Sequence, residues 1–262
     1  MGGGQRPLAA WASIAFFLMG LNATAALGET LQLETSRGAP IEVLAEFPPG
    51  GAVPVATVVL APGANYAMRQ PLMEATAREL LARGIAVWRF DWAYTTRQPP
   101  GRPSDRLADE VQDMRAVVDK ARHDRRAPAG RLFVAGKSLG SGVAWQLMAS
   151  DPALTGAVLL TPVCSEKRGD TVSSVADVNY PGIRDESRPL LFVAGDRDPL
   201  CEPAVLYRFA ATAGGPARVA VLGGNHGLEQ AGLTGEAARE ANRRAVERVG
   251  QLVADFIEAQ WP

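Results

Sequence analysis

The chain has 262 residues, with 27 basic and 28 acidic side chains, 47% hydrophobic and 21% charged residues. That length can bury one substantial core. The near-balanced charge, without a long run of either sign, excludes a nucleic-acid footprint and a polybasic membrane patch. No internal repeat or low-complexity tract stands out.

At the N-terminus, Arg6 precedes an apolar segment from Leu8 to Leu21, and Ala23-Thr24-Ala25 follows as an A-x-A cleavage site. This is the charged, apolar and small-residue order of a secretory signal. Residues 1–25 are therefore expected to be a signal peptide and 26–262 a single exported domain, periplasmic or secreted. No stable membrane association is expected after cleavage. An uncleaved anchor is the alternative, because the weakly polar stretch to Gly28 approaches spanning length. No cysteine follows the apolar segment, so a bacterial lipoprotein is not expected.

From Glu29 to Glu46, alternating Leu31, Leu33 and then Ile41, Val43, Ala45 flank Arg37-Gly38, the pattern of an edge hairpin. Val55–Ala61 is a continuous apolar run, expected as a strand covered on both faces, and it ends at Pro62-Gly63-Ala64-Asn65. Met73, Ala77, Leu80 and Leu81 share a helical face that Gly84 ends, and Ile85–Asp91 gives a further strand. The Trp92–Pro103 loop is rich in proline and arginine. Ser104 then caps an expected helix with apolar residues at Leu107, Val111, Met114, Val118 and Ala121.

Beyond it come a strand between Gly130 and Gly136, a helix carrying Val143, Leu147 and Met148, and strand Gly156–Val163. A mixed polar segment runs from Cys164 to Arg188, followed by strand Pro189–Gly195 and the turn Asp196-Arg197-Asp198-Pro199. A helix from about Glu202, the strand Arg218–Leu222, the loop Gly223-Gly224-Asn225-His226-Gly227 and a last helix complete the chain. That helix has Thr234 near its cap and Val246, Val249, Val253 and Phe256 on one face. Strands alternating with helices imply an α/β fold with a mostly parallel sheet and helices on both faces. Cys164 and Cys201 each follow an apolar run, where neighbouring parallel strands would bring them close. A disulfide and a free buried pair both remain open.

The central stretch is Leu132–Gly142, where an apolar strand enters Gly136-x-Ser138-x-Gly140 and a helix starts at once. That is the nucleophile-elbow pattern, in which a sharp turn strains the serine backbone and its neighbours must lack bulk. Gly136-Lys137-Ser138 also mimics the end of a phosphate-binding loop. That motif needs glycine where Arg131 stands, and Gly130 misses by one.

Ser138 is the candidate nucleophile and needs a base within hydrogen-bond reach. Of the two histidines, His123 lies among charged residues at a helix end, whereas His226 follows the final strand in the order Ser…Asp…His. Asp196 and Asp198 compete for the acid role. Asp198 lies deeper in its loop and is chosen, with Glu166 and Asp170 as fallbacks. The Leu139 N–H and an N–H of the Pro62–Asn65 loop, Ala64 being the candidate, are expected to hold an oxyanion. Asp91 is expected to anchor the loop that follows it. Arg97 and Arg102 could meet a substrate carboxylate, with solvated side chains as the default.

Ser138, Asp198, His226 and the Gly63-Ala64 turn together resemble the α/β-hydrolase family. More narrowly, Leu60–Ala64, Arg89–Tyr94, Gly136–Ser141 and Ala194–Leu200 resemble its small Tex/KANL-type branch, close to dienelactone hydrolases. The resemblance implies a compact hydrolase without a metal or organic cofactor. It departs from the family where Pro62 replaces a frequent histidine and Asn65 a small residue. The short Cys164–Arg188 segment leaves no room for a large lid domain and implies a shallow site. The expected function is a secreted serine hydrolase, foremost a carboxylesterase, on a small-molecule ester or acyl substrate. A non-catalytic binding module on the same fold is the alternative. Thioester or peptide cleavage would use the same parts, and oligomeric state is open.

Overall fold

The computed structural model describes residues 1–2 and 27–261. The expected signal segment falls almost wholly outside them. Among the described residues no helix is long and apolar enough to cross a membrane.

The alternating N-terminal pattern forms an antiparallel hairpin, β1 (Leu27–Glu34) with β2 (Pro40–Phe47), turning at Gly38 with φ 72°. β3 (Ala56–Ala61), α1 (Pro71–Ala82), β4 (Ile85–Phe90), α2 (Ala108–Arg122), β5 (Leu132–Lys137), α3 (Leu139–Ser150) and β6 (Gly156–Leu160) follow. Next come a small hairpin of β7 (Ser165–Arg168) and β8 (Thr171–Ser174), and the short α4 (Ala176–Asn179). β9 (Leu190–Gly195), α5 (Pro203–Ala210), β10 (Ala217–Leu222) and α6 (Gly235–Glu258) close the chain.

Eight strands form one sheet in the order β1-β2-β4-β3-β5-β6-β9-β10, with only the pairings of β2 antiparallel. Every residue of β3, β4, β5, β6 and β9 is buried, as their largely apolar runs require. Alternation divides these side chains between two layers. Val59, Trp88, Phe90, Val134 and Phe192 pack with α2, α3 and α5. Val58, Leu60, Val87, Phe133 and Ala135 pack with α1 and α6. Each such large side chain contributes about 1.5–3 kcal/mol by leaving water, so the two layers dominate the stability.

The chain passes from β3 to β4 on one side of the sheet and then back across β3 to β5. Connections leaving adjacent strands in opposite directions open a crevice at the strands' carboxyl ends. Ser138 follows β5 at that crevice.

Two details differ from the sequence reading. Helix α2 begins at Ala108, because Arg106 and Leu107 take left-handed backbone angles (φ 52° and 60°), so Leu107 precedes the helix. Ser104 still caps the entry, since its Oγ accepts the Asp109 N–H at 2.9 Å while Glu110 accepts the Ser104 N–H at 3.1 Å. Strand β6 stops at Leu160, and Thr161 turns the chain with φ 39°.

The cysteine question is resolved by the sheet. β6 and β9 are neighbours, and Cys164 and Cys201 beyond them form a disulfide with Cα atoms 4.6 Å apart.

Candidate active site

The elbow is built from β5 running into α3. Ser138 sits between them at φ 52° and ψ −117°, a conformation that L-residues adopt only under constraint. The glycines make the turn possible. A Cβ on Gly136 would lie 2.1 Å from the Gly140 carbonyl oxygen, and one on Gly140 would lie 2.5 Å from that of Pro62. The Ser138 N–H donates to Leu160 on β6 at 2.8 Å, and its carbonyl accepts from the Ser141 N–H at 2.9 Å. Ser141 Oγ also contacts this carbonyl and stands 2.9 Å from the buried Tyr180 hydroxyl, which accepts the Val163 N–H at 2.8 Å. Burial pushes the Tyr180 phenol up to about 12, so it stays a hydroxyl and completes the network.

The loop after β10 carries His226, and the loop after β9 carries Asp198. His226 Nε2 is 2.9 Å from Ser138 Oγ, and its Nδ1 is 2.8 Å and 3.0 Å from the two Asp198 carboxylate oxygens. With the Nδ1 proton donated to the carboxylate, Nε2 is left to accept the serine hydroxyl. Asp198 is buried, and one of its oxygens also accepts the Leu200 N–H at 2.9 Å. The competing Asp196 caps the turn, accepting the Gly224 N–H at 2.7 Å and so tying the two loops together. Glu166 instead pairs with Arg168 on β7, and Asp170 is exposed in the hairpin turn.

The loop after β3 lies against the elbow, for a Cβ on Gly63 would be 3.7 Å from the Ser138 Cβ. Trp92 Nε1 donates to the Gly63 carbonyl at 3.3 Å, and the Tyr94 hydroxyl donates to the Ala64 carbonyl at 2.8 Å. The Gly63 carbonyl and the Ala64 N–H belong to one planar trans peptide, so the Trp92 contact fixes the direction of that N–H. The Leu139 N–H heads α3, among the N–H groups that a helix leaves without an internal acceptor.

Sequence reasoning missed Trp92, Tyr94 and Tyr180. These are aromatic residues in or beside polar loops whose hydrogen-bonding ends act at a distance no periodicity reports. Asp91 anchors a different loop from the one expected, because it accepts the Met68 N–H at 2.8 Å and so braces the segment after β3. Arg97 and Arg102 are exposed, and His123 lies exposed against its own helix. Among the described residues no cluster of three or more His, Cys, Asp or Glu is arranged to hold a metal ion. A cleft of about 550 Å³, lined by Arg197, Asn225, Glu229, Gln230 and Asn242 among others, opens beside the histidine loop but does not include Ser138.

A family model described as an alpha/beta hydrolase domain matches residues 54–254. The chain belongs to the α/β-hydrolase family. Solved α/β hydrolases share its fold at low identity. Est1E from Butyrivibrio proteoclasticus is 15% identical, with 88% of this chain and 98% of that one covered at a TM-score of 0.65, and it has also been solved with ferulic acid bound. A serine hydrolase without a lid from Xanthomonas campestris is 19% identical, covering 90% and 95% of the two chains at a TM-score of 0.63. A dienelactone hydrolase from Anabaena variabilis is 15% identical, covering 89% and 98% at a TM-score of 0.66. The expected α/β-hydrolase family and a fold without a large lid are borne out, and the expected likeness to dienelactone hydrolases is present in the fold. A comparison with curated proteins finds no match.

Proposed function

We propose that this α/β hydrolase is a serine hydrolase acting on carboxylic esters through Ser138, His226 and Asp198. The observation that carries the reading is the unbroken hydrogen-bond chain from the Asp198 carboxylate through both imidazole nitrogens to a serine hydroxyl on a strained elbow. His226 takes the hydroxyl proton as Ser138 Oγ attacks the ester carbonyl, while Asp198 holds the ring and stabilises its charged form. The Ala64 and Leu139 N–H groups receive the oxyanion. His226 then gives its proton to the leaving alkoxide, and the acyl-enzyme is hydrolysed by a water that the same imidazole activates.

No metal or organic cofactor takes part in this sequence of steps. The substrate is a small or protruding ester, in keeping with the short segment between Cys164 and Arg188. Est1E, which shares the fold, accommodates ferulic acid. Turnover of 4-nitrophenyl acetate by the wild-type protein tests the reading. A folded protein inert to this and to longer-chain 4-nitrophenyl esters would favour a binding module instead.

Export is part of the proposal. It rests on the order of residues 1–25 and on a disulfide of the kind that oxidising compartments preserve. The exported protein should begin at Ala26 on N-terminal sequencing. A mature chain retaining the apolar segment would instead indicate an anchor.

A further inference from the structure

Lys137 stands where the strand pattern calls for an apolar side chain. Phe133 and Ala135 on β5 point into the layer under α1 and α6, and alternation sends Lys137 the same way. It is 5% exposed, and burying an ammonium is costly unless something compensates the charge. Two groups do so. Nζ lies 3.5 Å from the main-chain carbonyl oxygen of His226, at the long end of hydrogen bonding, and 4.9 Å from the ring centroid of Tyr66. The histidine loop is held from the same layer, where Leu228 is buried with φ 64°.

We propose that Lys137 is a positioning residue for His226: its ammonium tethers the histidine loop by the main-chain carbonyl and so fixes where the imidazole stands against Ser138. The inference rests on the serine-hydrolase reading above. Burial pulls the Lys137 ammonium below the usual lysine range, and the Asp198 carboxylate pulls it back, which places the lysine within the field of the same carboxylate that holds His226. The other charged and titratable groups around the loop are Asp196, Arg197 and Asp198 after β9, Tyr66 after β3, Glu229 in the loop itself and Arg239 on α6. All of them remain when Lys137 alone is replaced.

The test compares wild type, Lys137→Met and Lys137→Arg by kcat and KM for 4-nitrophenyl acetate, with thermal melts of each. Lys137→Met should lower kcat at neutral pH by about tenfold, with KM little changed. Its melting temperature should hold or rise, because an apolar chain of similar length replaces a buried charge. Lys137→Arg keeps a donor and should recover part of that kcat, its different shape costing the rest. A kcat unchanged in Lys137→Met, or lowered equally in Lys137→Arg, overturns the proposal. A wild-type protein without turnover removes both this proposal and the hydrolase reading, whereas an active wild type with an unchanged Lys137→Met kcat removes this one alone.

Discussion

Ser138→Ala and His226→Ala will each lower kcat for 4-nitrophenyl acetate by on the order of 10⁴-fold or more, and the double variant will lose little beyond either single one. The reason is the shared hydrogen bond of 2.9 Å between His226 Nε2 and Ser138 Oγ. Without the imidazole the hydroxyl is not activated, and without the hydroxyl the imidazole has nothing to deprotonate. Losses that simply multiply in the double variant would show that the two act separately. Asp198→Asn belongs to the same series. It keeps the shape but lets the imidazole settle in the wrong tautomer, so it should cost on the order of 10³–10⁴-fold in kcat. Both melting temperatures of the Ser138 and His226 variants should stay near wild type, because the serine and histidine side chains lie at the mouth of the crevice rather than in either apolar layer.

Removing the disulfide, by Cys164→Ala with Cys201→Ala or by reduction, will cost about 3–4 kcal/mol and lower the melting temperature by about 10 °C. The cross-link spans 37 residues and encloses β7, β8, α4 and β9, so its loss frees a large segment in the unfolded chain. It also lies beside the acid. The Cys201 N–H donates to the Asp198 carbonyl at 3.3 Å, and the Leu200 carbonyl accepts the N–H groups of both Cys164 and Ser165 at 2.9 Å. Turnover should therefore fall along with stability. Melting curves with and without reductant measure the first effect. Curves that coincide, with the bond shown to be broken, would contradict it.

Much of this fold is legible because buried parallel strands announce themselves. Val55–Ala61, Ile85–Phe90 and Leu190–Gly195 are apolar at nearly every step, Thr57 and Arg89 excepted, since both faces of each strand are covered. The elbow is legible for a different reason. Two glycines are forced by backbone contacts below 3 Å, so a local pattern carries a three-dimensional constraint. His226 and Asp198 follow from their places after successive strands. Other features lack any such signal. The β7–β8 hairpin is short, polar and mostly exposed, with no apolar alternation to mark it. Arg106 and Leu107 adopt left-handed angles that neither residue type favours, which shifts the start of α2. Trp92 reaches back to the Gly63 carbonyl across 29 positions, a contact made by strand order rather than by local pattern. Lys137 reads as a fragment of a phosphate loop until the sheet shows which layer it enters.

The most direct measurement is intact-protein mass spectrometry after exposure to a fluorophosphonate probe, followed by peptide mapping. A single adduct on Ser138 is expected, formed rapidly by wild type, much more slowly by His226→Ala and not at all by Ser138→Ala. An unmodified protein, or an adduct on any other residue with Ser138 untouched, would contradict the account.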